Sequence, residues 1–181
     1  MGGRRPRRTR APRERPPLDA KAARLAAFDL LARKPWSTGE LARRLRRRGA
    51  LPEIARAVVA DLQSRGYLND QAFAQRWAEA RAQERGIGSL RLSRELSAKG
   101  IPRELAAPAI EAAFEGSEES RALEAARRRL PALRRAAPDR APARLAGYLL
   151  RRGYPPSLVR RIVKRLVGAD LGEAPDEGQS V

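Results

Sequence analysis

Leucines stand eight and four residues before each of three glycines: Leu41 and Leu45 before Gly49, Leu92 and Leu96 before Gly100, Leu145 and Leu149 before Gly153. Residues four apart share one face of an α-helix, so each pair marks an apolar stripe ending at a glycine that can take the left-handed C-terminal conformation. Five residues after each glycine come Ile54, Leu105 and Leu158, followed at intervals of four by Val58, Ala109 and Ile162, and by Leu62, Ala113 and Leu166. Proline lies two or three positions past the glycine each time (Pro52, Pro102, Pro155 and Pro156), where it suits the start of a new helix. The pattern predicts helix, cap, helix, three times over.

A further helix is predicted ahead of each pair. The first runs from 19 to 32 with Leu25, Phe28 and Leu31 or Ala32 inward, and the second starts at Asp70, a favourable N-cap residue. The third covers 118 to about 135 with Leu123, Leu130 and Leu133 inward. Phe73 and Trp77, one turn apart on the second of these helices, read as core residues rather than as a platform for bases. The expected organisation is a basic arm over 1–17, three-helix repeats over 18–69, 70–116 and 117–167, and an acidic flexible tail over 168–181. Units of about 50 residues bury little core alone, so neighbours should stack into an elongated, curved array with mostly local contacts.

Composition supports an all-α fold. Alanine and leucine together number 56 of 181 residues, against 13 for Val, Ile and Thr. Cysteine and histidine are absent, which removes disulfides, thiol and imidazole chemistry and Cys/His zinc sites. Acidic residues are scattered singly, so neither a metal centre nor a catalytic carboxylate pair is expected, and no cofactor is called for. The longest stretch without charge is seven residues, 153–159, too short to span a bilayer. An N-terminal signal peptide is also disfavoured, because Lys21, Arg24 and Asp29 interrupt the apolar run that would form it. A mitochondrial presequence is the alternative reading of the basic arm, and the cytoplasm is the expected compartment.

The formal charge is +18, and 35 of the 39 cations are arginine. Preference for Arg over Lys fits a GC-rich coding bias, but that bias leaves the distribution unexplained. Residues 70–115 are neutral, whereas 121–167 carry fourteen cations and only Glu124 and Asp139 as acids. Arg127, Arg128, Arg129, Arg134, Arg135, Arg151, Arg152, Arg160, Arg161, Lys164 and Arg165 therefore have few acids to pair with, and contact with phosphates or an acidic protein surface is favoured over a merely solvated face. Arg43, Arg44, Arg46, Arg47 and Arg48 form a second run around Leu41 and Leu45, for which binding and a solvated face are evenly matched. Trp36, beside Pro35 between two helices, is either a lid on the first repeat or a partner contact.

The segment Gly66-Tyr67-Leu68-Asn69-Asp70-Gln71-Ala72-Phe73-Ala74-Gln75-Arg76-Trp77, with Arg81 and with Arg94-Glu95-Leu96-Ser97-Ala98-Lys99-Gly100-Ile101, resembles the central signature of the RecX family of bacterial recombination regulators. Leu30-Leu31-Ala32-Arg33 with Ser37, Glu40 and Leu41, and Tyr148-Leu149-Leu150-Arg151-Arg152-Gly153-Tyr154, are similar to that family's first and third repeats. The likeness covers about 20–167. Lys34-Pro35-Trp36 and the alanine- and arginine-rich helix after 117 depart from the family pattern. The resemblance implies a non-enzymatic, monomeric modulator of RecA that lies along the groove of its filament on DNA. It also implies suppression of ATP hydrolysis, strand exchange and coprotease activity in recombination, repair and the SOS response. Single- or double-stranded DNA, read with weak sequence preference, is the further partner implied, and no membrane is. A stand-alone DNA-binding protein using helix-turn-helix-like units is the alternative.

Overall fold

The structure, a computed structural model, describes residues 17–83 and 86–168. Apart from Pro17 and Gly168, the arm expected over 1–17 and the tail expected over 168–181 lie outside the described residues. The described chain is helical: α1 (Ala20–Leu31), α2 (Thr38–Arg47), α3 (Pro52–Ser64), α4 (Asp70–Gln83), α5 (Ser89–Lys99), α6 (Arg103–Phe114), α7 (Glu118–Ala136), α8 (Ala141–Arg151) and α9 (Pro156–Gly168). A 3₁₀ turn, Pro138–Arg140, precedes α8. None of the described helices is long and apolar enough to cross a membrane.

Helices pack extensively only within the trios α1–α3, α4–α6 and α7–α9, and each trio has its own core. Leu41, Leu45, Leu92, Leu96, Leu145 and Leu149 are fully buried, so the paired leucines form the centre of each core. A side chain of this size contributes about 1.5–3 kcal/mol on full burial. Gly49, Gly100 and Gly153 have φ of +100°, +84° and +87°, the left-handed conformation that ends the second helix of each repeat. Pro52 and Pro156 open α3 and α9, and Pro102 stands one residue before α6.

The first helix of each trio is where the structure departs from the expected pattern. In α1 the buried stripe is Ala23, Ala27 and Leu30, whereas Leu25 is 60% and Phe28 38% exposed. Small side chains let α1 approach α2 and α3 closely, and this turns the bulky pair outward. Phe28 instead meets Tyr67 edge-on, with ring centroids 5.4 Å apart. Alanines play the same part elsewhere: Ala74, Ala78 and Ala82 line α4 against α6, and Ala122, Ala125 and Ala126 join Leu130 and Leu133 on the inner face of α7, leaving Leu123 half-buried. Phe73 is core as expected, but Trp77 is only partly covered.

The expected N-cap of α4 is also corrected. Asn69 caps it, its Oδ1 accepting from the Ala72 amide at 2.9 Å. Asp70, one position further on, reaches across to the first repeat, accepting from the Thr38 amide at 2.8 Å and the Thr38 hydroxyl at 2.6 Å. The free amides at the start of α2 attract a carboxylate that its own helix does not need.

Candidate nucleic-acid and filament interface

The second helices of the three repeats meet end to end. The start of α2 sits on the end of α5, where the buried Ser37 hydroxyl donates to the Lys99 carbonyl at 2.6 Å while its oxygen accepts from the Glu40 amide. The start of α5 sits on the end of α8, where the Gly88 amide donates to the Arg152 carbonyl at 2.9 Å and the Leu90 amide to the Gly153 carbonyl at 3.0 Å. The C-terminal carbonyls of one helix thus find donors at the N-terminus of the next, and the helix dipoles align positive end to negative end. No side chain fits at these contacts. A Cβ on Gly39 would lie 2.9 Å from the Lys99 carbonyl oxygen, and one on Gly153 would lie 2.3 Å from Cβ of Arg91. The arrangement fixes how the basic faces of neighbouring repeats are presented.

Charged side chains reinforce both junctions. Between the first two repeats, Arg43 donates to the Ala98 carbonyl at 2.6 Å, and Lys99 pairs with Glu40 at 2.9 Å. The Lys99 ammonium also lies 3.7 Å from the Trp77 ring centroid. Between the second and third, Glu118 accepts from the Ser89 amide at 2.7 Å, Arg152 donates to the Gly86 carbonyl at 3.1 Å, and Arg121 reaches the Ala82 carbonyl. Within the second repeat, Arg81 grips Glu95 through two bonds of 2.8 and 2.7 Å. That guanidinium, helped by Arg91, holds the Glu95 carboxyl below the usual carboxylate range.

The candidate binding arginines divide into two groups. Arg43, Arg134 and Arg152 are half-buried and bond backbone carbonyls, Arg134 holding the Leu166 carbonyl at 3.2 Å. Arg152 also lies against the Tyr148 ring, 4.7 Å from its centroid. These three serve the architecture. The others are exposed: Arg44, Arg46 and Arg47 on α2 with Arg48 just past its end, Arg127, Arg128, Arg129 and Arg135 on α7, Arg151 on α8, and Arg160, Arg161, Lys164 and Arg165 on α9. Two of them have local acids, Arg128 with Glu124 at 2.6 Å and Arg161 with Glu119 at 2.8 Å, pairs that contribute little when solvated. The Arg161–Glu119 and Arg134–Leu166 contacts tie α9 along α7, so both basic helices belong to one face-bearing unit.

Sequence reasoning missed the residues at the junctions. Asp70 reads from the sequence as a helix cap, and Glu40 and Lys99 only as part of the family resemblance, because the role of each depends on a partner 32 to 59 positions away. Trp36 lies on the first core as the lid reading expects: its indole donates to the Leu30 carbonyl at 2.9 Å and its ring stays partly exposed. No group of His, Cys, Asp and Glu among the described residues could hold a metal ion.

Comparison with known proteins accounts for this architecture. The family models for the first, second and third three-helix domains of RecX match residues 23–62, 69–110 and 117–163. The chain is 35% identical over 174 residues to "Regulatory protein RecX" of Streptomyces coelicolor, covering 94% of this chain and 93% of that protein. It is 34% identical over 143 residues to the protein of the same name from Trichlorobacter lovleyi, covering 78% and 93%. In fold it is similar to the crystal structure of RecX from Lactobacillus salivarius, with a TM-score of 0.71 at 16% identity over 82% of this chain and 96% of that one. Three matched domains in order and relatives of this name along most of its length establish that the chain belongs to the RecX family of regulatory proteins.

Proposed function

We propose that this protein binds RecA and its filament on DNA and inhibits the recombinase, ATPase and coprotease activities, acting in the cytoplasm as a monomer and without catalysis of its own. The observation that carries the reading is the set of exposed cations on α7, α8 and α9, which far outnumber the acids beside them. A DNA-bearing filament presents phosphates at regular intervals, and a rigid array of repeats can meet several at once. Three linked repeats also suit a long groove better than a compact pocket.

The test is RecA's single-strand-dependent ATPase with this protein added at substoichiometric ratio. The rate should fall. A folded, full-length sample that leaves it unchanged at equimolar ratio overturns the proposal. The second reading, a stand-alone DNA-binding protein, is favoured by the helix, tight turn and helix within each repeat. It requires duplex protection with sequence preference in the absence of RecA.

A further inference from the structure

Helices α2 and α3 border a groove of about 410 Å³ on the first repeat. Arg43 and Arg46, one turn apart on α2, line it together with Arg56 of α3, and the rest of the lining is small or apolar, Ala42, Pro52 and Ala55 among it. No acid lines the groove. Arg43 is pinned by its bond to the Ala98 carbonyl, so it contributes charge from a fixed position. Arg46 and Arg56 are exposed, and among the described residues neither side chain has an acidic partner. Glu40, the acid of α2, is held by Lys99, and Glu53, in the first turn of α3, is exposed and stands outside the groove lining.

We infer that this groove holds a backbone phosphate of nucleic acid between Arg46 and Arg56, one guanidinium from each helix. A guanidinium presents paired donors to a phosphate, and two of them reaching it from different helices fix its position. The small lining residues leave room for the sugar-phosphate chain to approach. Charge density favours a nucleic acid over an acidic peptide. Residues 43–56 carry six arginines and one acid, and duplex DNA presents one negative charge per about 1.7 Å of its axis. Arg56 lies outside both arginine runs of the sequence, and only the packing of α3 on α2 brings it to the groove. The inference rests on the DNA-binding part of the proposed function. It adds a second anchoring point on the first repeat, separated from the basic third repeat by the neutral second one.

The chain has no cysteine, so Pro52→Cys places a single thiol in the groove lining, and its alkylation rate reads occupancy. Oligo(dT) should slow the alkylation, whereas inorganic phosphate and oligoglutamate at the same concentration of anionic groups should not. A Lys21→Cys variant, with its thiol on α1 and outside the groove lining, should react at one rate with or without DNA. In titrations of DNA binding against salt, Arg46→Gln/Arg56→Gln should lower the slope of log K by about 0.9 on duplex DNA and about 0.7 on a single strand, the loss of one neutralised phosphate. Helical content and melting by circular dichroism should stay at the parent level. Lys21→Gln/Arg33→Gln, which removes the same charge from exposed positions elsewhere in the first repeat, should leave the slope nearly intact. Alkylation that DNA leaves unchanged overturns the inference, as does an equal change of slope in both double variants. Protection by inorganic phosphate or oligoglutamate equal to that by DNA also overturns it. If the slope responds only to Arg160, Lys164 and Arg165, the DNA-binding reading stands without this site, and RecA's ATPase decides the regulatory reading separately.

Discussion

Gly88 and Gly153 lie backbone against backbone, and a Cβ placed on Gly88 would fall 2.5 Å from the Gly153 carbonyl carbon and oxygen. Gly88 itself has ordinary extended geometry, φ −101° and ψ 164°, so its glycine identity is required by the close approach and not by the backbone. The two glycines together set how the third repeat is carried on the second.

Gly88→Ala should therefore act on the junction alone. Overpacking of this kind costs about 1–3 kcal/mol. The expected outcome is a lower melting temperature with near-native helical content, and a changed radius of gyration in small-angle scattering as the third repeat swings away. Unaltered scattering and melting would show that the junction tolerates the methyl group.

Asp70 and Thr38 should be energetically coupled across the first junction. Removing either partner leaves buried polar groups unmatched, at about 1–3 kcal/mol each. A cycle of Asp70→Ala, Thr38→Val and the double variant, followed by urea unfolding, should give a coupling energy of about 0.5–3 kcal/mol. Strict additivity would reduce the two bonds to incidental contacts.

The two groups of arginines should respond differently to substitution. Changing Arg160, Lys164 and Arg165 to Gln should lower the slope of log K against log salt by about one for each phosphate that is no longer neutralised, with little effect on melting. Arg134→Gln, which removes the bond to the Leu166 carbonyl, should lower the melting temperature and leave that slope nearly intact. Titrations of DNA binding between low and physiological salt distinguish the two behaviours.

Tyr154 is completely buried in the third core, and its hydroxyl has no hydrogen-bond partner. Tyr154→Phe should raise stability by about 1 kcal/mol, since an unmatched buried hydroxyl is removed and the ring is kept. Burial also pushes the Tyr154 hydroxyl from 10.0 up to about 12. The unfolded chain loses this proton from pH 10 upward while the folded chain retains it, so stability falls as pH rises from 10 to about 12. The phenylalanine variant should show a shallower decline over that window in thermal melts read by far-ultraviolet circular dichroism.

Helix positions, glycine caps and paired leucines were legible because each is a local property. A spacing of four places Leu92 and Leu96 on one face whatever surrounds them, and Gly100 closes the helix through its own backbone freedom. The identity of the inward face on α1 was less legible. Hydrophobicity favoured Leu25 and Phe28, but close packing favoured Ala23 and Ala27, and a close approach between helices rewards small side chains that hydropathy ranks low.

The same division holds for the candidate binding residues. Charge excess in the third repeat is a matter of counting, and it singled out the cations that the fold leaves exposed on α7 and α9. It did not separate them from Arg43, Arg134 and Arg152, whose chemistry is identical and whose partners are carbonyls of distant residues. Repeat number, helix order and family were carried by short-range pattern along the chain. The end-to-end docking of α2, α5 and α8 and the reach of Asp70 to Thr38 arose only in three dimensions, because each depends on two surfaces meeting at close range and no periodicity records that meeting.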